Sequence, residues 1–312
     1  MPVTTPVRSR ANTSPAGREG ASLVAVNTET AHPTLSDVTT AFEQVYPPAW
    51  AASWDAVGLV AGDPVQPVAR ILFAVDPVDA VVDEALTWGA DLIITHHPLM
   101  LRGVTSVAAS TPKGRIVHRL IRSGTALYTA HTNADTASPG VSDALARAVG
   151  LTGPLRPLDP DATDPEGRRG IGRVGVLERP VVLREFAGQV ARALPATAAG
   201  IRVAGDTDRL VTTVAVSGGA GDSLLGAARA AGVDVFVTSD LRHHPASEFV
   251  EEPGGPALID TAHFASEWPW LADGADRLAE ALGRTVGPDG ANVEIRVSTT
   301  VTDAWSQAVS HV

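Results

Sequence analysis

One short pattern occurs twice in this chain, and that repetition narrows the folds open to it more than any single motif does. Gly89-Ala90-Asp91-Leu92-Ile93-Ile94-Thr95 is answered by Gly232-Val233-Asp234-Val235-Phe236-Val237-Thr238. In each copy a glycine closes a helical stretch and an apolar, β-branched run follows, as when a helix feeds a buried strand. The next strands also match. Ala126-Leu127-Tyr128-Thr129-Ala130-His131 leads to Asp135, and Ala257-Leu258-Ile259-Asp260-Thr261-Ala262-His263 leads to Glu267. Both read Thr-Ala-His with a carboxylate four residues beyond the histidine. Short repeats arise by chance in an Ala-rich chain, but agreement in motif, place after a strand and carboxylate spacing predicts a duplicated α/β unit.

The flanking periodicities fill in each copy. Strands are expected at Ile71–Val75, Asp91–Thr95 and Thr125–Thr129, with helices at Val78–Trp88 and Lys113–Arg122 between them. A β-α-β-α-β order implies parallel strands with right-handed crossovers. The second copy has strands at Val211–Val216, Val233–Thr238 and Ala257–Asp260, a helix at Ser223–Ala231, and one from Trp268 to Leu282 with Pro269 in its first turn. Thr34-Leu35-Ser36-Asp37 resembles a capping box, opening a helix through Phe42 and Val45 that Pro47-Pro48 ends. Between the copies, Pro154, Pro157, Pro160 and Pro165 mark Leu151–Arg169 as a linker or surface connection. Gly172–Leu177 reads as an edge strand, Leu183–Leu194 as an amphipathic helix, Ile201–Val203 as a short strand and Val293–Val301 as the last strand. The division expected is a disordered extension over 1–33, a first α/β lobe over 34–150, a linker over 151–170 and a second lobe over 171–312. The extension carries Arg8, Arg10 and Arg18 but no uninterrupted apolar core, so it is not a secretory signal. A cytoplasmic protein is expected, and no apolar run is long enough to span a bilayer.

Chemistry enters at Thr95-His96-His97-Pro98, where two imidazoles stand at the carboxyl end of a strand that Pro98 cannot continue. Open α/β sheets collect ligands at such ends. Neighbours on an extended chain point opposite ways, so both rings reach one site only if the backbone turns there. By itself the pair is more often a surface or core-edge feature. If both copies direct their strand ends to one side, however, His96, His97, His131 and Asp135 meet His263 and Glu267. Cysteine is absent, which excludes disulfides, a thiolate nucleophile and Cys-held zinc or iron–sulfur sites. His, Asp and Glu suit divalent Zn, Fe, Mn, Co or Ni. One ion is commonly satisfied by about four ligands, so a cluster this rich suggests a pair of them. Bound water on a suitably held zinc falls in pKa from 15.7 to about 7, giving a nucleophile at neutral pH. The residues alone therefore point to metal-assisted hydrolysis at the seam of two similar α/β lobes. A formal charge of −11 argues against a general nucleic-acid surface but not against a nucleotide in one pocket.

The runs Trp54-Asp55-Ala56-Val57-Gly58-Leu59, Thr95 to Pro98, and His131-Thr132-Asn133-Ala134-Asp135 resemble the dinuclear metal centre hexameric proteins. So do Gly218-Gly219-Ala220-Gly221, Thr238-Ser239-Asp240, and His263 with Ser266-Glu267. This is the Nif-three-like group of GTP cyclohydrolase 1 type 2 homologues, and the similarity runs roughly from Leu35 to Trp305. The resemblance implies metal ligands at His96, His97, Asp135, His263 and Glu267, with Glu267 bridging two ions. His131 and Asp240 are expected to orient ligands, with direct ligation the alternative for His131. It further implies a toroidal homohexamer with inward-facing sites, and a short form lacking the large domain that some members insert between lobes. The activity implied is hydrolytic opening of a purine nucleotide ring, GTP being the named substrate, by metal-bound hydroxide. A metal-dependent phosphoesterase and a non-catalytic metal-binding scaffold are the alternatives. The family usually has Gly, Tyr and Gly where this chain has Ser239, His243 and Ala262, a departure bearing on substrate preference. His244 is the candidate for proton transfer, a structural hydrogen bond being the competing role. His32, His118 and His311 read as surface residues.

Overall fold

A computed structural model describes residues 32–285 and 292–309. The expected N-terminal extension, apart from its last two residues, lies outside the described residues. The first half runs α1 (Leu35–Val45), β1 (Gly58–Ala61), β2 (Arg70–Ala74), α2 (Asp79–Trp88), β3 (Leu92–Thr95), α3 (Pro112–Ser123), β4 (Ala126–Thr129), α4 (Thr132–Thr136) and α5 (Val141–Ala148). A hairpin of β5 (Leu151–Pro160) and β6 (Gly170–Val182) follows. Then α6 (Leu183–Ala193), β7 (Arg202–Ala204), β8 (Leu210–Ala220), α7 (Leu225–Ala230), β9 (Val235–Ser239), α8 (His243–Glu251), β10 (Ala257–Thr261), α9 (His263–Glu267) and α10 (Trp270–Thr285) repeat the order of the first half element for element. Strand β11 (Glu294–Val297) comes last.

Local chemistry explains the frame. Thr34 and Asp37 form the reciprocal capping box of α1, each side chain accepting from the other's backbone amide. Helix α2 ends at Gly89, whose φ of 76° lies in the left-handed region that costs L-residues with a Cβ roughly 1–2 kcal/mol. Two residues on, the Asp91 carboxylate accepts from the Ala69 and Arg70 amides at 2.8 and 2.9 Å. Its counterpart Asp234 accepts from the Thr212 and Thr213 amides, both at 2.8 Å. In both copies the aspartate ties the start of one parallel strand to the next, so the repeated Gly-x-Asp is a register clamp.

The sheets carry the duplication further. Strands β2, β3 and β4 are neighbours and parallel, as are β8, β9 and β10. In each sheet a preceding strand pairs antiparallel with the third, β1 with β4 and β7 with β10. Alternation along the strands separates two apolar faces. Ile71, Phe73, Leu92, Ile94, Val214, Val216, Val235 and Val237 join the largest cluster, whereas Leu72, Ile93 and Leu127 pack beneath α2 and α3, and Ala215, Phe236 and Leu258 beneath α7 and α8. The large cluster also takes in the buried sides of α1, α5, α6 and α10, so helices fill the space between the sheets.

Several expectations change here. The supposed linker over 151–170 is mostly strand, since β5 spans Leu151–Pro160 at the edge of the second sheet. An edge position tolerates Pro154, Pro157 and Pro160, which have no amide to give an outer neighbour. Strand β6, read as an edge, is interior between β5 and β8. The last strand does not complete the second half. It adds parallel to β2 in the first sheet, Ile295 opposite Ile71. Helix α10 packs on α1 and β2, while α5 of the first half packs on β6 and β8. Each half thus covers part of the other's sheet.

Candidate metal centre

Every polar residue singled out at a strand end lies just past a parallel strand. His96 and His97 follow β3, His131 follows β4, Asp240 follows β9 and His263 follows β10. The backbone does turn after β3. The His96 and His97 amides donate to Ala74 and Val75, Thr95 Oγ1 donates to the His97 carbonyl at 2.9 Å, and the two rings lie 5.1 Å apart. Asp135 and Glu267 sit on the one-turn helices α4 and α9, and His263 with Glu267 shares a helical face at the four-residue spacing. His96, His97, Asp135, His263 and Glu267 are therefore brought together, as expected from the sequence.

Glu267 is the middle of the arrangement. Its Oε1 lies 3.0 Å from His263 Nε2 and 3.5 Å from His96 Nε2, and its Oε2 lies 3.2 Å from His97 Nε2. Asp135 Oδ1 is 3.7 Å from His96 Nε2. Each ring is fixed through its other nitrogen. Nδ1 of His96 faces the Ala130 carbonyl at 3.0 Å, and Nδ1 of His97 faces Asp76 at 2.7 Å. Nδ1 of His131 faces Asp55 at 2.9 Å, and Nδ1 of His263 faces Asp240 at 2.7 Å. An oxygen acceptor at Nδ1 holds the proton there and leaves the Nε2 lone pair for a cation, as metal-binding histidines commonly require.

Donor atoms of His96, His97 and His131 lie within 4.8 Å of one another, and so do those of His97, His263 and Glu267. His96 Nε2 and Glu267 Oε2 are buried without a hydrogen-bond partner. Such orphans cost free energy unless something occupies the gap between them. A divalent cation fits that gap chemically. Without one, protons partly take its place. Burial works to lower His97, but the Glu267 carboxylate and Asp76 outweigh it and hold the ring up at about 11. His263 is likewise raised to about 9 against the effect of burial. Burial opposes the charge on Glu267, yet the surrounding imidazoles hold it well below the usual carboxylate range. Burial raises Asp135 and lowers His131. The carboxylates of this pocket favour positive charge on the groups around them.

Glycine makes the crowding possible. A Cβ on Gly219 would stand 2.6 Å from Glu267 Oε1, and its φ of 70° is left-handed. The Gly219 amide donates to Ser266 Oγ at 2.9 Å, joining the end of β8 to the turn that carries Glu267. From the far end of the chain, Thr302 donates its hydroxyl to Asp76, the carboxylate that orients His97. Asp55, Asp76 and Thr302 were not foreseen as site residues. Asp240 and His131 do meet the cluster, whereas His244 does not. It is exposed on α8 and absent from the lining of the cavity that opens onto the cluster, because the chain turns away through Asp240 (φ 56°) and Arg242, which pairs with Asp222. That cavity, about 720 Å³, is bounded by Trp50, Trp54, His131, Asp135, His263 and Glu267.

A family model described as Duf34/NIF3 (NGG1p interacting factor 3) matches residues 33–304. A Streptomyces coelicolor protein called GTP cyclohydrolase 1 type 2 homolog is 58% identical over 278 residues, covering 89% of this chain and 95% of that protein. Among solved structures, a Bacillus cereus protein related to NIF3 superposes with a TM-score of 0.78 at 25% identity, covering 88% of this chain and 99% of its own. A Staphylococcus aureus hypothetical protein gives a TM-score of 0.78 at 27% identity, over 89% of this chain and all of its own.

Proposed function

Because this chain belongs to the Duf34/NIF3 family, we propose that it is a divalent-metal-dependent hydrolase whose dinuclear centre is held by His96, His97, Asp135, His263 and Glu267. The observation that carries this is the ring of imidazoles with Nδ1 engaged, turned about a buried carboxylate with unpartnered donor atoms beside it. Zn, Fe, Mn, Co and Ni all suit this donor set. Such ions, when bound, make water acidic and polarise a substrate oxygen at neutral pH.

The protein's own part is positioning and proton handling. Asp76 and Asp240 fix the rotation and tautomer of His97 and His263, and the Ala130 carbonyl does so for His96. His131, lining the cavity with Nδ1 tied to Asp55, takes the proton-transfer role in place of His244, which does not line it. The reaction proposed is hydrolytic opening of a purine nucleotide ring, GTP being the substrate that the relatives' names suggest. A homohexamer is proposed as the assembly. Leu101, Val104 and Val107, exposed between β3 and α3, supply apolar surface that association would cover.

The test is elemental analysis of protein purified without added metal, then turnover of GTP beside a phosphodiester panel. Bound divalent metal, with GTP consumption lost on chelation and in Asp135→Ala, is expected. GTP consumption that survives both treatments rejects the mechanism. Turnover of phosphodiesters alone makes the protein a phosphoesterase, and metal with no turnover makes it a scaffold.

A further inference from the structure

The walls of the 720 Å³ cavity have a chemical character of their own. Two indoles, Trp50 and Trp54, line it together with Asp159, Asp161 and Thr163 of the β5–β6 hairpin. Trp54 is 61% exposed, with its ring edge-on to His131 at 6.0 Å, so one of the cluster's own residues holds a largely uncovered aromatic face beside the donors. Trp50 is covered on one face by Arg169, 4.6 Å from the ring centroid. That guanidinium is already engaged, 3.1 Å from Asp161 and 3.7 Å from Asp164. Arg173, beneath the cavity, is buried and bound to Asp143 and to backbone carbonyls. Asp159 is exposed and has no ion pair among the described residues. Among the described residues, no arginine or lysine lines the cavity.

Two dications would face Asp135 and Glu267 directly, with the carboxylates of Asp55, Asp76 and Asp240 behind the histidines, so the positive charge at that end is largely neutralised. It can favour the first phosphate of a ligand but has little left for a second or third. Any longer anionic tail would have to run among carboxylates, where like charge repels it. An exposed indole prefers a flat ring, and carboxylates lining the same cavity prefer N–H donors on that ring. We infer that the cavity recognises a planar nitrogen heterocycle and at most its first phosphate, the ring stacked on Trp54 with its N–H groups toward Asp159. GTP can enter, but its outer phosphates add nothing to the affinity that GMP already has. The inference rests on the metal-dependent function proposed above and narrows its substrate.

Guanine nucleotides provide a matched series of probes. Calorimetric titration of the metal-loaded full chain with GMP, GDP, GTP and inorganic phosphate should give GMP an affinity at least equal to that of GTP. Trp54→Ala should weaken GMP about tenfold, the usual scale of one stacked base, and leave inorganic phosphate unchanged. Trp54→Phe should restore most of the loss, and Asp159→Asn should improve GTP relative to GMP by a few-fold. GTP binding tenfold or more tighter than GMP overturns the inference, as does a Trp54→Ala variant that binds GMP normally. Melting curves check folding, and Trp54 is exposed enough for its removal to leave the core intact. Elemental analysis of the same samples separates the two ideas. If no metal is bound, the hydrolase proposal fails and the phosphate limit fails with it, whereas bound metal with GTP tenfold tighter than GMP overturns this inference alone.

Discussion

The two halves of the molecule share one frame and differ at its strand ends. Both run helix, strand, strand, helix, strand, helix, strand, helix, helix, and both anchor the middle parallel strand with an aspartate two residues after a left-handed glycine. Beyond the strands they diverge. The first half places His96 and His97 after its middle strand, whereas the second ends that strand on Ser239 and follows it with Asp240. After the third strand, His131 is steadied by Asp55 of its own half, and Asp135 approaches His96 alone. In the second half His263 is steadied by Asp240, while Glu267 reaches across to His96 and His97. Backbone requirements kept the frame alike, and the freedom of side chains past the strands let one half become rich in imidazole and the other supply the joining carboxylate.

The largest effect should come from removing that carboxylate. Glu267→Gln should abolish metal binding at both groups of donors, whereas Asp135→Asn should remove at most one ion, both read by elemental analysis. Equal losses would erase the asymmetry between the halves. Gly219→Ala comes next, since its Cβ collides with Glu267 in addition to forcing an L-residue into a left-handed turn. It should lower both melting temperature and metal content, while Gly89→Ala, whose Cβ meets only the flexible Arg70 guanidinium at 3.2 Å, should cost roughly 1–2 kcal/mol of stability and leave metal content alone. The paired clamps should behave alike. Asp91→Asn and Asp234→Asn each weaken charge-assisted bonds worth roughly 1.5–3 kcal/mol in typical cases, measurable by denaturant titration. Burial works to raise the Asp234 carboxyl, but the Thr213 and Thr212 amides outweigh it and hold it below its ordinary value of 3.8. Its contribution is therefore present above that value and lost as pH falls through the folded one, so Asp234→Asn should show a shallower acid decline than wild type. The smallest effect belongs to Thr302→Val, which frees Asp76 on the side away from His97. A few-fold loss of metal affinity is expected, below the 10–100-fold typical of a ligand's direct partner, and Thr302→Ser should restore it.

Much of this could be read from the chain because the signals were local. Helix-closing glycines, the capping box at Thr34 and the repeated Thr-Ala-His each act within a few residues, and the donors they framed do converge. What escaped depended on distant partners. Strand β11 looks like any short alternating run, and only tertiary packing sends it to β2 instead of the neighbouring sheet. Prolines hid β5 because local pattern cannot show that a strand will lie at an edge. Asp55, Asp76 and Thr302 resemble ordinary turn residues until a histidine is brought against them. His243-His244 looked like His96-His97 in composition, yet the first pair is exposed at the start of α8 whereas the second lies in a turn that buries His96 and half-buries His97.

Anomalous diffraction from crystals of the chain purified without added metal examines the convergence most directly. Two peaks should appear, one on either side of the Glu267 carboxylate, with His96 and His97 contributed by the first half and His263 by the second. No peak in that gap, or a single ion held by residues of one half alone, would contradict it.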